Sequence, residues 1–302
     1  MPELPEVEVI RRRLAPRLRG RRILGVSFPG RPLRRQSPPG ELTRWLPGRR
    51  ILRLDRRGKY LLFHLEGGVT LLIHLGMTGR LLLGPLPSPL SHVHLIFTLE
   101  GDEALLYQDV RRFGQVLVSH PGVVPEPLAQ VGREPFHPGV TPAWLAEQAR
   151  GRRRPVKNFL LDGRLLAGLG NIYASESLFA AGIHPETPAG ELTLPQWERL
   201  LAAIRRILKR AIARGGTTVN DYLQPGGTTG LFQVELKVYG RGGEACVQCG
   251  TPIARLVQAG RSTFFCPRCQ PAPSPESQHH CEPLGSPSSS GLREGRGRNE
   301  GC

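Results

Sequence analysis

Four of the six cysteines fall into two Cys-x2-Cys pairs, Cys246 with Cys249 and Cys266 with Cys269, and sixteen residues separate the pairs. Thiolates at this spacing close a single tetrahedral Zn–S4 site. Whatever else the chain does, residues 236–270 must therefore fold two knuckles face to face. Gly243 and Gly250 permit tight turns beside the first pair, and Thr263-Phe264-Phe265 supplies a strand leading into the second, as a zinc finger requires. Four thiolates leave no open coordination position, so the expectation is one structural Zn2+; a redox dithiol needs only one pair. Cys281 and Cys302 lie in residues 271–302, which are rich in Pro, Ser and Gly and contain no aromatic residue. That composition predicts a disordered tail, with His279-His280-Cys281 simply solvated.

Charge is spread as unevenly as cysteine. Lys and Arg number 41 against 25 Asp and Glu, for a net charge of +16. Residues 1–60 alone carry 17 basic against 5 acidic side chains. A basic face of that density implies a polyanionic partner. No apolar run is long enough to span a bilayer, and the acidic Met1-Pro2-Glu3-Leu4-Pro5-Glu6 start has no apolar core of a secretory signal. A cytoplasmic protein without membrane association is expected.

Local patterning separates two kinds of material. Val7, Ile10, Leu14 and Leu18 recur at helical spacing behind Pro5, predicting a helix over about 5–19 with arginines on its other face. Extended runs follow at 51–54, 59–65, 69–75, 93–99, 104–108 and 115–119, punctuated by Gly67-Gly68 and Gly101-Asp102 turns. They predict a β-sandwich or barrel. A proline-rich stretch over 120–141 reads as connecting chain. Helices are then predicted at 144–150, 171–181 and 195–214, the last with Trp197, Leu200, Leu201, Ile204, Ile207, Leu208 and Ala211 on one stripe, ended by Gly215-Gly216.

The front of the chain carries the sharpest chemistry. Removal of Met1, expected before a small residue, turns Pro2 into a terminal secondary amine. An α-amine of pKa about 8 is roughly a quarter neutral at about pH 7.5, whereas lysine is almost wholly charged. Attack of such an amine on a sugar C1′ gives a cationic iminium, which acidifies the C2′ proton and promotes elimination of phosphate. Glu3 beside it is a candidate general acid or base. Read alone, Pro2, Pro5 and the glutamates also suit an ordinary helix start.

Several ordered motifs, Met1-Pro2-Glu3-Leu4-Pro5-Glu6-Val7-Glu8, Lys59-Tyr60-Leu61-Leu62, His74-Leu75-Gly76-Met77, Asp109-Val110-Arg111-Arg112-Phe113-Gly114, Gly168-Leu169-Gly170-Asn171-Ile172-Tyr173-Ala174-Ser175-Glu176 and the terminal finger, together resemble the formamidopyrimidine-DNA glycosylase family over about residues 2–270. The resemblance implies an α+β multidomain fold: an N-terminal catalytic β-sandwich domain with flanking helices (1–130), a linker (131–141), a helix–two-turns–helix DNA-binding domain (142–235), a zinc finger (236–270) and the tail (271–302). It implies a bacterial, nucleoid-associated monomer that removes oxidised purines such as 8-oxoguanine and formamidopyrimidines from double-stranded DNA, then cuts the strand by β and δ elimination.

By the same resemblance, Pro2 is the Schiff-base nucleophile and Glu3 the acid assisting ring opening, with Lys59 and Arg261 in the catalytic group and Glu6 in support. Met77, Arg111 and Phe113 match residues that fill the stack when a base is extruded. His74, Lys157 and Asn171 match phosphate contacts, as does Arg261, and His92 belongs to the DNA-binding set. Gly168-Leu169-Gly170-Asn171 is expected to offer bare amides and an Asn cap to a phosphate at a helix start. Residues 217–239 align with a lesion-capping loop, where Leu231 replaces an expected aromatic residue. Two rival readings remain: an endonuclease VIII-like enzyme for oxidised pyrimidines, and a non-catalytic zinc-dependent DNA-binding protein.

Overall fold

Alternating and continuous apolar runs over residues 23–119 become two sheets laid face to face. The computed structural model describes residues 2–85, 91–216 and 235–272. Helix α1 (Leu4–Leu18) comes first, followed by β1 (Ile23–Ser27), β2 (Arg35–Gln36), α2 (Pro39–Trp45), β3 (Ile51–Arg57), β4 (Tyr60–Leu65), β5 (Thr70–His74), β6 (Arg80–Gly84), β7 (Val93–Leu99), β8 (Ala104–Gln108) and β9 (Gln115–Ser119). One sheet has the order β1-β7-β8-β6 and the other β2-β9-β5-β4-β3. Pairing is antiparallel except between β2 and β9. Phe63, Ile73 and Val116 of one sheet meet Leu95, Phe97, Leu105 and Tyr107 of the other in a core that also takes in Ile10, Leu14 and Leu18 of α1. The helical stripe read from the sequence is thus the face that α1 buries on the sandwich.

The second part is helical: α3 (Glu126–Ala129), α4 (Pro142–Ala149), α5 (Val156–Leu160), α6 (Asn171–Ala181) and α7 (Leu194–Ala213), before the hairpin β10 (Ala254–Gln258) and β11 (Arg261–Phe265). A Thr193/Gln196 capping box starts α7, and Gly215 and Gly216, both at positive φ, end it. Its stripe of Trp197, Leu200, Leu201, Ile204 and Leu208 is buried against Tyr173, Leu178 and Phe159. Truncating Trp197 to alanine there costs about 3–5 kcal/mol.

The expected α+β architecture, sandwich first and helices with a cysteine finger second, is the one observed. Strands β1, β2, β6 and β10 and helices α2, α3 and α5 were not anticipated. All are short, and β1, β2 and β6 are fixed by pairing with β7, β9 and β8, far along the chain, rather than by their own pattern. The proline-rich stretch also makes specific contacts: Gly132 N–H donates to Gly163 O (2.8 Å), Arg133 N–H to Leu165 O (3.0 Å) and Ala167 N–H to Arg133 O (2.8 Å). This pairing delivers the chain to the start of α6. No described helix is long and apolar enough to cross a membrane. Residues 217–234, which include most of the expected capping loop and Leu231, lie outside the described residues, as do 273–302 of the expected tail.

Candidate active site

Pro2 and Glu3 are buried where α1 begins, against the start of α6. Glu3 is the N-cap of α1, and its own amide donates to Glu6 Oε2 at 2.9 Å, while Glu6 Oε1 accepts the Tyr173 hydroxyl at 2.6 Å. The Glu3 carboxylate then crosses to the second part of the chain, accepting Ile172 N–H at 2.9 Å and Tyr173 N–H at 3.4 Å. Only 2% of Glu3 is exposed. Burial is the largest influence on its carboxyl and raises the pKa, with Glu6 adding to the rise; Lys59 and the two amides oppose it. A proton is thereby kept available beside Pro2 at a pH where an exposed glutamate has lost its own.

This geometry corrects the reading of Gly168-Leu169-Gly170-Asn171. The Ile172 and Tyr173 amides in the first turn of α6 serve Glu3, a side chain of the same protein. The N-cap is Gly170, and Asn171 is the first helical residue. The glycines are there for close approach: a Cβ on Gly170 would strike the Glu3 carboxyl, and Gly168, at φ +84°, faces the Leu4 side chain. Gly170→Ala is accordingly expected to displace Glu3 and lower base excision at least tenfold with little loss of duplex binding. Single-turnover excision alongside an anisotropy titration checks this.

Lys59 arrives from the opposite side. The Arg57–Tyr60 pair closes a two-residue hairpin turn over Gly58-Lys59, with Gly58 at φ +57°. Lys59 is partly exposed as a residue, but burial of its ammonium, reinforced by Arg261, lowers the pKa, with Glu3 and Glu6 opposing. Beside it on β5, His74 Nδ1 accepts Gly76 N–H at 3.0 Å, which leaves the ring proton on Nε2. Burial and the Lys59 charge take the His74 pKa down to about 4, so the ring is neutral near pH 7. Lys59, His74, Tyr60, Arg164, Gly168 and Leu169 line a cleft of about 320 Å³. A cationic wall with a neutral imidazole donor suits a phosphodiester.

The hairpin tip is held by a residue that the sequence reading passed over. Glu134 accepts Gly58 N–H at 2.7 Å and binds Arg56 through both carboxylate oxygens at 3.1 and 3.0 Å. Arg56 also reaches Glu8 of α1 at 3.2 Å. Glu176 is a second omission: buried in α6, it accepts the Lys237, Val238 and Tyr239 amides at 3.0, 2.9 and 2.9 Å. Neither residue has its partner within helical or strand spacing, so no local pattern announces it.

Arg261 opens β11 after a tight Ala259-Gly260 turn in which both residues have positive φ. Its charge lowers the pKa of both Lys59 and Lys157, so it stands within electrostatic reach of both ammonium groups. Lys157 and Asn171 differ from expectation. Lys157 is fully buried (0% exposed), and its ammonium donates to Thr263 Oγ1 at 2.5 Å and Ser262 O at 3.2 Å. Asn171 Nδ2 donates to the same Ser262 carbonyl at 2.8 Å. Both therefore hold the hairpin that presents Arg261. Burial, then Arg261, brings the Lys157 pKa to about 8.

Below the hairpin the four cysteine sulfurs lie within 4.8 Å of one another, with Cys246–Cys269 at 3.9 Å and Cys249–Cys266 at 3.4 Å. Tetrahedral Zn2+ with bonds of about 2.3 Å asks for sulfurs about 3.8 Å apart. The tetrad fits one structural zinc, bound by Cys246, Cys249, Cys266 and Cys269.

Met77, in the turn after β5, and Phe113, in the loop before β9, are large apolar side chains left 40% and 37% exposed. Arg111 lies over the Phe113 ring at 4.7 Å from its centroid. His92 is exposed at φ +57° and lies outside the cleft walls; its carbonyl accepts Asp109 N–H at 3.0 Å, at the base of the Phe113 loop.

Comparison with known proteins gives matches to three family models: the formamidopyrimidine-DNA glycosylase N-terminal domain over residues 1–116, the formamidopyrimidine-DNA glycosylase H2TH domain over 131–222, and a zinc finger found in FPG and IleRS over 243–272. A formamidopyrimidine-DNA glycosylase of Acidithiobacillus ferrooxidans is 46% identical over 272 residues, spanning 89% of this chain and 100% of the relative. The crystal structure of the Thermus thermophilus Fpg protein superposes with a TM-score of 0.79 at 44% identity, over 89% of this chain and 98% of that one. A Lactococcus lactis Fpg mutant in complex with Fapy-dG containing DNA gives 0.83 at 37%, over 90% and 100%. With the buried Glu3, the Lys59 hairpin and the cysteine tetrad in their ordered places, the chain belongs to the formamidopyrimidine-DNA glycosylase family.

Proposed function

We propose that this glycosylase and lyase excises oxidised purines, 8-oxoguanine and formamidopyrimidines, from duplex DNA and cuts the strand through a Schiff base on Pro2. The carrying observation is the junction of Pro2, Glu3 and Lys59 at the seam between sandwich and helices. The Pro2 amine bonds to C1′ as the damaged base leaves; Glu3 gives its proton to O4′ as the sugar ring opens, producing an iminium. Loss of the C2′ proton then expels the 3′ phosphate, a second elimination expels the 5′ phosphate, and hydrolysis of the iminium restores the amine. Lys59, His74 and Arg261 bind the phosphates that hold the nucleotide in the cleft. Met77, Arg111 and Phe113 enter the vacated stack, the arginine reaching the orphaned base. All these groups come from one chain, consistent with action as a monomer.

The Lactococcus lactis relative has been captured on Fapy-dG containing DNA, which supports the purine reading. It has also been captured on oxidised pyrimidine containing DNA, which favours a second, broader reading. Borohydride trapping tests the chemistry: wild type should cross-link to 8-oxoguanine duplex and Pro2→Gly should not. No adduct with wild type sinks the proposal. Equal or faster turnover of thymine glycol duplex would move the assignment to oxidised pyrimidines.

A further inference from the structure

The insertion side chains come from two separate segments, yet the structure fastens those segments together through one hydroxyl. Thr78 follows Met77 in the turn after β5. Its Oγ1 donates to Asp109 Oδ1 at 2.5 Å and accepts Arg111 N–H at 3.2 Å. Asp109 is fully buried (0% exposed), and it accepts Arg111 N–H at Oδ1 (3.2 Å) and Gly114 N–H at Oδ2 (2.8 Å). The carboxylate thus defines both ends of the short Arg111–Phe113 loop, and Thr78 joins that loop to Met77. The backbones also touch: a Cβ on Gly76, at φ +59°, would meet the Phe113 carbonyl carbon at 2.6 Å. Arg112 at φ +56° turns the chain between Arg111 and Phe113, and their side chains stack.

Resting on the reading of Met77, Arg111 and Phe113 as insertion residues, we propose that Thr78 is a positioning residue that makes those three side chains enter the duplex as one rigid unit. Extruding a base costs stacking energy that is recovered only if the gap is filled as it opens. Side chains on two independently moving loops must each be ordered on the DNA, and that ordering weakens the filled state. The Thr78 hydroxyl removes the relative motion beforehand. Thr78 does not line the Lys59–His74 cleft, so its influence is confined to steps that require a stack to be opened.

Thr78→Val keeps the shape and deletes both hydrogen bonds. It is expected to lower single-turnover excision from 8-oxoguanine duplex about tenfold. Cleavage of a single-stranded abasic oligonucleotide, which has no stack to refill, should stay within about twofold of wild type. Thr78→Ser restores the hydroxyl and should restore excision. In a Met77→Ala background, Thr78→Val should add little, because the unit it maintains is already broken. Thr78→Ala serves as a second deletion should the valine variant not fold. Duplex excision by Thr78→Val equal to wild type, while Met77→Ala is impaired, overturns the proposal. So does an equal loss on duplex and single strand that serine fails to restore, since that marks general destabilisation. If Met77→Ala and Phe113→Ala both excise normally, the insertion reading itself falls and takes this inference with it.

Discussion

Glu3→Gln is expected to reduce excision of 8-oxoguanine by about 10²–10⁴-fold. The glutamine carbonyl can still accept the Ile172 amide, so the seat on α6 is kept while the transferable proton is lost. The pH behaviour follows from the direction of the shift. Burial raises the Glu3 pKa, so the protonated donor persists above the ordinary carboxyl range and is lost as pH rises through the raised value. Excision limited by this donor declines along that alkaline limb, and Glu3→Gln should lack the limb. Stability runs in the same sense. A raised folded pKa contributes stability that is full below the unfolded carboxyl range and disappears as pH climbs through the folded value. At pH 7–8 the variant should therefore melt at or above the wild-type temperature, activity having been bought with a buried carboxyl. Melting curves and single-turnover rates from pH 5 to 9 check both statements; unchanged excision would remove Glu3 from the mechanism.

Cys249→Ser is the second large effect. Loss of zinc frees the β10–β11 hairpin, taking the Arg261 charge away from Lys59 and the Ser262 carbonyl away from Lys157 and Asn171. Losing charged contacts of this kind costs about 2–5 kcal/mol, so duplex affinity should fall by roughly two orders of magnitude or more. The Lys157 ammonium loses both acceptors in the same step, and with the hairpin and Arg261 moved away the burial and like charge that hold its pKa near 8 are relieved, so it returns to water as an ordinary charged lysine. The sandwich has a separate core and should remain folded. Metal analysis, anisotropy with duplex and far-ultraviolet circular dichroism test the three parts. Wild-type affinity in a zinc-free protein would show that the finger is dispensable.

What could be read from the sequence was whatever repeats at short range. The stripe of α1, the strands over 51–119 and the cysteine spacing needed no distant information. Gly168-Leu169-Gly170 was misjudged because glycines before a helix have two physical uses: exposing amides to a ligand and admitting a neighbour's side chain. Only the folded chain reveals that the neighbour is Glu3. Lys157 was expected at a phosphate, and nothing nearby in the sequence hints that a carbonyl and a hydroxyl more than a hundred positions later enclose its ammonium. Glu134, Glu176 and Thr78 escaped for the same reason: their partners lie on other elements. Pro2, Glu3 and Lys59 could be singled out from the sequence because an amine, an acid and a lysine have intrinsic reactivity. The residues that aim them have none until the fold supplies a partner.

The bond between Glu3 and the Tyr173 amide spans 170 positions of chain. During synthesis the front of the polypeptide leaves the ribosome first, yet the seat for its acidic side chain is made only after more than half the protein has been translated. A truncated or still-growing product therefore exposes the reactive amine without the proton donor set against it. On the proposed function, a chain that ends before α6 lacks the seat for Glu3 and should cut strands poorly.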